Sequence, residues 1–279
     1  MFSFLSDFLI KKGIDSFAPI PLDACRIIRP YLLERVGIAS GTVILLVVPY
    51  FTPSCLDEKR NVSAYAVPRD YHGFFEDLYG ELIPMLRERY PEHRFAAFAD
   101  HSPIAEVEAA AMAGLGVIGE NHLLLTPQYS SYIFLGEIVT DATVACNLSP
   151  IQHCEGCGAC KKVCPFPNHD GCLSALTQKK GELSTDEQEL ILRYGSAWGC
   201  DLCQEVCPHT KKAFKNKTVF SKIPYFTEQV IPCLTTEILD RMTDDELKTR
   251  AYAWRGRNTV RRNLLLLEEN PSTKGEETC

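Results

Sequence analysis

Eight cysteines crowd the stretch from Cys154 to Cys207, and their spacing limits what that stretch can fold around. The run Cys154-Glu-Gly-Cys157-Gly-Ala-Cys160-Lys-Lys-Val-Cys164-Pro165 has the gaps of a bacterial ferredoxin and its closing proline. A second run, Cys200-Asp-Leu-Cys203-Gln-Glu-Val-Cys207-Pro208, also ends in Cys-Pro, and Cys172 lies between the two. Eight soft thiolates meet the needs of two 4Fe-4S clusters. The fourth cysteine of a ferredoxin run ligates the other cluster. That rule groups Cys154, Cys157 and Cys160 with Cys207, and Cys164 with Cys172, Cys200 and Cys203. Zinc would favour paired cysteines without the Cys-Pro ending, and disulfides would suit an exported chain. The remaining cysteines, Cys25, Cys55, Cys146, Cys233 and Cys279, lack ligand spacing and read as packing residues.

A 46% apolar fraction over 279 residues supports a sizeable core. Met1 to Ile10 is apolar, but it holds Asp7 and its lysines follow the apolar stretch, which is not the pattern of a signal peptide. No segment approaches the roughly 20 apolar residues of a membrane span, so the sequence reads as cytoplasmic. The net charge of −7 is uneven: Pro208 to Asn263 carries twelve Lys/Arg against six Asp/Glu. Such a basic stretch suits either a polyanionic partner or an ordinary solvated surface.

Thr42 to Pro49 is a continuous aliphatic run and predicts a buried strand. Phe74, Phe75, Leu78, Leu82, Met85 and Leu86 recur at helical spacing, predicting a helix over Tyr71–Tyr90. Strands are expected at Arg94–Ala99, Leu123–Thr126 and Tyr132–Val139. A helix should start near Pro103, capped by Ser102, and stop at Gly114. The tail from Thr235 to Leu267 reads as helical. The expected fold class is α+β: residues 1–145 form a first domain, 146–215 a double-cluster ferredoxin-like module, 216–269 a basic helical tail, and 270–279 a disordered end. Gly114-Leu-Gly-Val-Ile-Gly119 follows a helix, so it is not a dinucleotide fingerprint. It suits either close approach to a flat ligand or a simple helix stop and turn.

Together these pieces resemble the cobalamin-dependent epoxyqueuosine reductases. The resemblance rests on Tyr65-Ala-Val-Pro-Arg69-Asp70-Tyr71-His72, Phe98-Ala-Asp100-His-Ser-Pro103 with Glu106, and Ala113 to Asn121. It continues through Ser131 to Thr140, the cysteine runs, Cys172-Leu-Ser-Ala-Leu-Thr177, Gly199 to Gln204, and Arg257 to Asn263. Several family elements are altered here, among them Glu120 in a Gly-Lys-Asn position and the short span from Cys164 to Cys172. The resemblance is to a short form without the family's C-terminal helical repeats.

The resemblance implies a nitroreductase-like cobalamin-binding domain, fed by the two clusters, that reduces epoxyqueuosine to queuosine in a tRNA anticodon loop. By motif, Asp100 would be the proton donor, and an aspartate holds a proton near neutrality only where desolvation favours it. Ser63, Tyr65, Asp100, Leu124, Leu135, Ser174 and Asp201 fall where the family contacts cobalamin, and Asp70 and His72 could line the same pocket. Lys211, Lys212, Lys215, Arg255, Arg257, Arg261 and Arg262 become candidates for tRNA phosphates, with Trp254 or Tyr252 for base stacking. An external low-potential electron donor and a monomeric state are also implied. The other reading is an electron carrier or corrinoid-reducing protein with no tRNA substrate.

Overall fold

The computed structural model describes residues 1–166 and 170–270. Most of the expected disordered end, and the middle of the Cys164–Cys172 loop, lie outside the described residues. The chain is α+β and divides into two units built from interleaved segments. One, here the sheet unit, comprises Met1–Pro49, Tyr71–Cys157 and Lys212–Ile223. The other, the cluster unit, comprises Tyr50–Asp70, Gly158–Lys211 and the chain from Pro224 onward.

The sheet unit is built on an antiparallel sheet of β1 (Ser16–Pro21), β2 (Thr42–Pro49), β3 (Phe95–Phe98) and β6 (Ile133–Thr140), in the order β1-β2-β6-β3. A separate hairpin pairs β4 (Val117–Ile118) with β5 (Leu124–Leu125). All eight residues of β2 are buried, as its unbroken Val-Ile-Leu-Leu-Val-Val run predicts for a strand covered on both faces. Val43, Leu45 and Val47 pack with Ala109, Ala110 and Ala111 of helix α4 (Glu106–Met112). The opposite face takes α3 (Tyr71–Arg89): a Cβ on Gly136 would lie 2.3 Å from the Phe75 ring. Gly136 is therefore a packing glycine that lets α3 approach β6. Two further helices, α1 (Phe2–Lys11) and α2 (Pro30–Val36), complete this unit's N-terminal part.

The expected strands and the long helix are present to within two residues, but the helix near Pro103 is shorter than expected. It begins at Glu106, and Ser102 does not cap it; the Ser102 hydroxyl instead accepts the Ile104 N–H at 3.1 Å within the preceding loop. Gly114, at φ +78°, ends α4, and a Cβ on Gly116 would lie 2.5 Å from the Leu125 carbonyl. These glycines serve the helix stop and the tight hairpin, which favours the turn reading.

The cluster unit is built from short helices: α5 (Ala159–Val163), α6 (Leu173–Thr177), α7 (Thr185–Tyr194), α8 (Leu202–Glu205), α10 (Pro224–Thr227), α11 (Thr236–Arg241), α12 (Asp244–Lys248) and α13 (Arg257–Glu269). Helix α9 (Pro208–Lys215) carries the chain from this unit into the last segment of the sheet unit. The continuous helical tail expected over Thr235–Leu267 is thus three helices, because Thr235 and Thr243 each start a new one as N-caps. Leu173, Leu176, Leu183 and Ile191 form a small apolar cluster of this unit.

Candidate active site and cluster cysteines

In the sheet unit, β3 ends at Phe98 and the chain turns through Asp100 before α4 begins. Asp100 sits at φ +63°, a left-handed conformation that few non-glycine residues adopt and that aspartate tolerates better than most. Its side chain is 68% exposed and lies 3.7 Å from His72 Nε2, at the start of α3. Phe98 and Ala99 therefore do not bury the carboxylate, and the folded sheet unit does not supply the desolvation that a proton-holding aspartate needs. Leu124 is buried in the apolar core beside α4, and the partly buried Leu135 packs against that core.

In the cluster unit, Ser63, Tyr65, Ser174 and Asp201 fall into two hydrogen-bonded groups. The Asp201 carboxylate, 2% exposed, accepts from Ser63 Oγ at 2.5 Å, from the Ala64 N–H at 2.6 Å and from Arg60 at 2.6 Å. Arg60 also reaches Glu205 at 2.7 Å and the Val62 carbonyl at 2.8 Å. Nearby, Gln178 Nε2 donates to Ser174 Oγ at 3.1 Å and to the Tyr65 hydroxyl at 3.4 Å. Burial pushes the Tyr65 phenol up, so it stays protonated. Gly199 explains how these groups come together: at φ +77°, its Cβ would lie 2.4 Å from the Ser63 Cβ. Only glycine fits there. A cleft of about 200 Å³, lined by Arg60, Ser63, Leu173, Cys200 and Asp201, opens beside the network. That is below the roughly 300–1,000 Å³ of a small-molecule site, so this cleft alone could not bury a corrin.

Cys154 and Cys157 fall in the sheet unit, and Cys160, Cys164, Cys172, Cys200, Cys203 and Cys207 in the cluster unit. Gly156 and Gly158 take positive φ between the first thiols, giving this loop the reversals that its glycines suggested. Helices α5 and α8, bearing Cys160 and Cys203, pack together. Burial pushes the Cys200 thiol up to about 12, with Asp201, Cys203 and Cys172 adding to the effect, so Cys203 and Cys172 both lie near Cys200. Among the described residues, no three His, Cys, Asp or Glu side chains are already arranged around a metal position. The donor set nevertheless fits iron–sulfur chemistry: soft thiols only, with nearby cysteines whose deprotonation a bound metal would drive.

The basic candidates divide sharply. Arg257 donates to the Leu239 carbonyl and, at 2.7 Å, to the Met242 carbonyl at the end of α11. Arg261 forms a forked pair with Asp240 at 3.0 Å, and Arg262 donates to the carbonyls of Lys179 and Gly181. All three are engaged by partners within the cluster unit. Lys211 and Lys212 are exposed on α9. Tyr252 is fully buried and cannot stack on a base, whereas Trp254 is 60% exposed with Arg255 stacked 3.7 Å from its ring centre.

The sequence reading gave no role to Arg60 or Glu137. Arg60 has no motif signal, but Glu137 does, as a carboxylate within the aliphatic strand Ile133–Thr140.

No family model matches the chain. A curated epoxyqueuosine reductase from Synechocystis sp. is 31% identical over 199 residues, which cover 67% of this chain and 68% of that protein. The chain belongs to the epoxyqueuosine reductase family. A second epoxyqueuosine reductase, from Listeria monocytogenes, is 30% identical over 207 residues, 71% of this chain and 54% of that one. The chain thus spans about half the length of some family members, including that of Bacillus cereus at 54%. The solved epoxyqueuosine reductase of Streptococcus thermophilus superimposes with a TM-score of 0.77 at 21% identity, covering 97% of this chain and 81% of that one. An epoxyqueuosine reductase crystallised with an epoxyqueuosine-modified tRNA-Tyr stem loop gives a TM-score of 0.74, also at 21% identity, covering 95% and 80%. These two likenesses establish the fold.

Proposed function

We propose that this chain reduces epoxyqueuosine to queuosine in tRNA, with Asp100 supplying a proton. The observation that carries the reading is the Asp100 loop, where a family-motif aspartate is held at positive φ with its carboxylate presented to solvent beside His72. Removing the epoxide oxygen as water consumes two electrons and two protons and leaves a carbon–carbon double bond. One proton leaves the Asp100 carboxyl for the departing oxygen, breaking the carboxyl O–H bond as the new O–H forms. His72 is close enough to return a proton to Asp100 from solvent. Because Asp100 is exposed in the sheet unit, the desolvation that favours its protonated form would come from the bound substrate.

The division of labour follows residues 1–145 for catalysis, 146–215 for electron transfer and 216–269 for a basic surface. The eight cysteines would hold two 4Fe-4S clusters supplied by an external low-potential donor. Cobalamin, when bound, supplies the reductive chemistry at the epoxide. By the family resemblance, the candidates to hold it are Ser63, Tyr65, Asp100, Leu124, Leu135, Ser174 and Asp201. Since Ser63 and Asp201 already satisfy each other, they would contribute mainly through backbone groups. Of the proposed tRNA contacts, Lys211 and Lys212 carry the most weight, as exposed cations on α9. Among the described residues, no helix is long and apolar enough to cross a membrane.

One observation favours the second reading, an electron carrier or corrinoid-reducing protein without a tRNA substrate: Arg257, Arg261 and Arg262 are engaged within the fold. Anaerobic protein reconstituted with iron, sulfide and cobalamin, then given epoxyqueuosine-bearing tRNA, separates the two. Queuosine is expected, and Asp100→Asn should lower its formation by about 10²–10⁴-fold without altering the cluster or cobalamin spectra. Cobalamin reduction with no queuosine would establish the second reading. Full turnover in Asp100→Asn would remove Asp100 from the chemistry.

A further inference from the structure

Glu137 occupies the middle of β6, opposite Leu45 of β2 and Phe98 of β3, with Leu135 and Val139 on its own face. It is fully buried in an otherwise apolar layer. Both of its carboxyl oxygens are buried, with the Ser102 hydroxyl facing them and no cation in contact among the described residues, and the buried Oε1 of Glu106 has no donor of its own. The two side chains are neighbours, each within hydrogen-bonding reach of the other. Ionised carboxylates only accept hydrogen bonds, so two that touch without a donor repel unless one bears a proton.

The surroundings offer little else to neutralise them. Arg29 is the cation facing Glu106, and its NH1 is already given to the Ser102 carbonyl at 2.8 Å. The Tyr79 hydroxyl, from α3, donates to the Phe98 carbonyl at 3.0 Å. Cys25 is buried beside Glu137 with its Sγ directed to the Pro21 carbonyl at 3.5 Å, and Asp100 adds only negative charge near Glu106. Burial pushes Glu106 up to about 7, with its hydrogen bond to Glu137 opposing and the Asp100 charge adding, and burial together with the Glu106 charge pushes Glu137 well above its ordinary value.

The position of the pair gives it a task. The Asp100 loop leaves the sheet after Phe98, which pairs with Glu137, and re-enters regular structure at Glu106, the first residue of α4. Within the loop the fully buried Ser102 faces Glu137, while the Pro103 carbonyl accepts from the Ile28 and Arg29 N–H groups at 2.8 and 3.1 Å. We propose that Glu106 and Glu137 share one proton, and that this bridge ties the two ends of the Asp100 loop, making both carboxyls positioning residues for Asp100. The role in turnover rests on the function proposed above; the bridge itself does not.

Loss of the shared proton would leave two adjacent buried charges at the base of the loop. Both carboxyls are protonated at low pH, and ionisation of Glu106 near 7 leaves one proton between the two; the stability contributed by protonation, fully present below the unfolded glutamate value of 4.5, is lost as pH rises through about 7 and then through the higher value of Glu137. Infrared titration of the whole protein, without substrate or cobalamin, tests this with glutamate carboxyls isotope-labelled. A protonated-carboxyl stretch persisting at neutral pH is expected, and its disappearance in the Glu106→Gln/Glu137→Gln double variant would assign it. Hydrogen exchange supplies the second readout. Protection of the His101, Ile104 and Ala105 amides, corrected for intrinsic rates, should fall roughly tenfold or more from about pH 6 to about pH 9. In the double variant, whose amides carry no charge, that dependence should vanish. No neutral-pH acid band in the native protein overturns the proposal whether or not the variant folds, and so does an unchanged exchange profile in a folded variant.

Discussion

The sheet unit and the cluster unit reach order by different means. In the sheet unit, long-range register does the work: all eight β2 residues pair with β6 and six of them also with β1, and the apolar faces close against α3 and α4. In the cluster unit, several helices are only four or five residues long, below the length at which a helix persists by itself. Their ends are fastened instead by local polar devices. Ser184 and Glu187 form a capping box at the start of α7, Thr243 and Glu246 another at α12, and Asn263 donates to the Thr177 and Ala197 carbonyls at 2.7 and 2.9 Å. A strand in a paired sheet carries its own scaffold, whereas a short helix borrows one. In the cluster unit the expected lender, beyond this network, is the metal.

Removing iron anaerobically should therefore separate the units more than any single substitution. Amide protection across Gly158–Lys211 should collapse towards the rate of an open chain, while β2 and β6 keep theirs. Equal loss in both units, followed by peptide-resolved hydrogen exchange, would end the distinction. Asp201→Ala should come next. It strands a largely buried Arg60 and three further donors, with Glu205 as partial compensation, at about 3 kcal/mol measured by denaturant melting. The counterpart in the sheet unit is Leu45→Ala, which opens a cavity between β2 and α4 and should cost about 2–3 kcal/mol, with cluster absorbance unchanged. Bleaching of the clusters by Leu45→Ala, but not by Asp201→Ala, would reverse the assignment of roles.

Legibility followed the same division. β2, β6 and α3 could be read from the residues because apolar periodicity reports burial directly, and Thr42–Pro49 is found with the bounds expected. β1 was missed, since Ser16-Phe-Ala-Pro-Ile-Pro21 carries two prolines and only half of a strand pattern; it sits at the sheet edge, where proline is tolerated. The three-helix tail could not be separated by apolar spacing alone, although the caps Thr235 and Thr243 were there to be read. At the site, the cysteine spacing and the Asp100 motif were visible. The Arg60–Asp201–Ser63 network was not, because Arg60 and Asp201 are 141 positions apart along the chain. The basic count over Pro208–Asn263 left the role of each residue open for a related reason, since charge in a sequence does not say whether a guanidinium faces water or caps a neighbouring helix.

From its residues alone, the chain's chemistry was already decided: eight thiols at ferredoxin spacing, one aspartate in a family motif, and enough aliphatic sequence to bury a sheet. Only the folded molecule decided environment. It exposed Asp100, engaged three arginines, and set Glu106 against Glu137 in the core. Donor type is a property of a side chain, but its burial and its partners are properties of everything packed around it, and these set whether a carboxyl holds a proton or a charge.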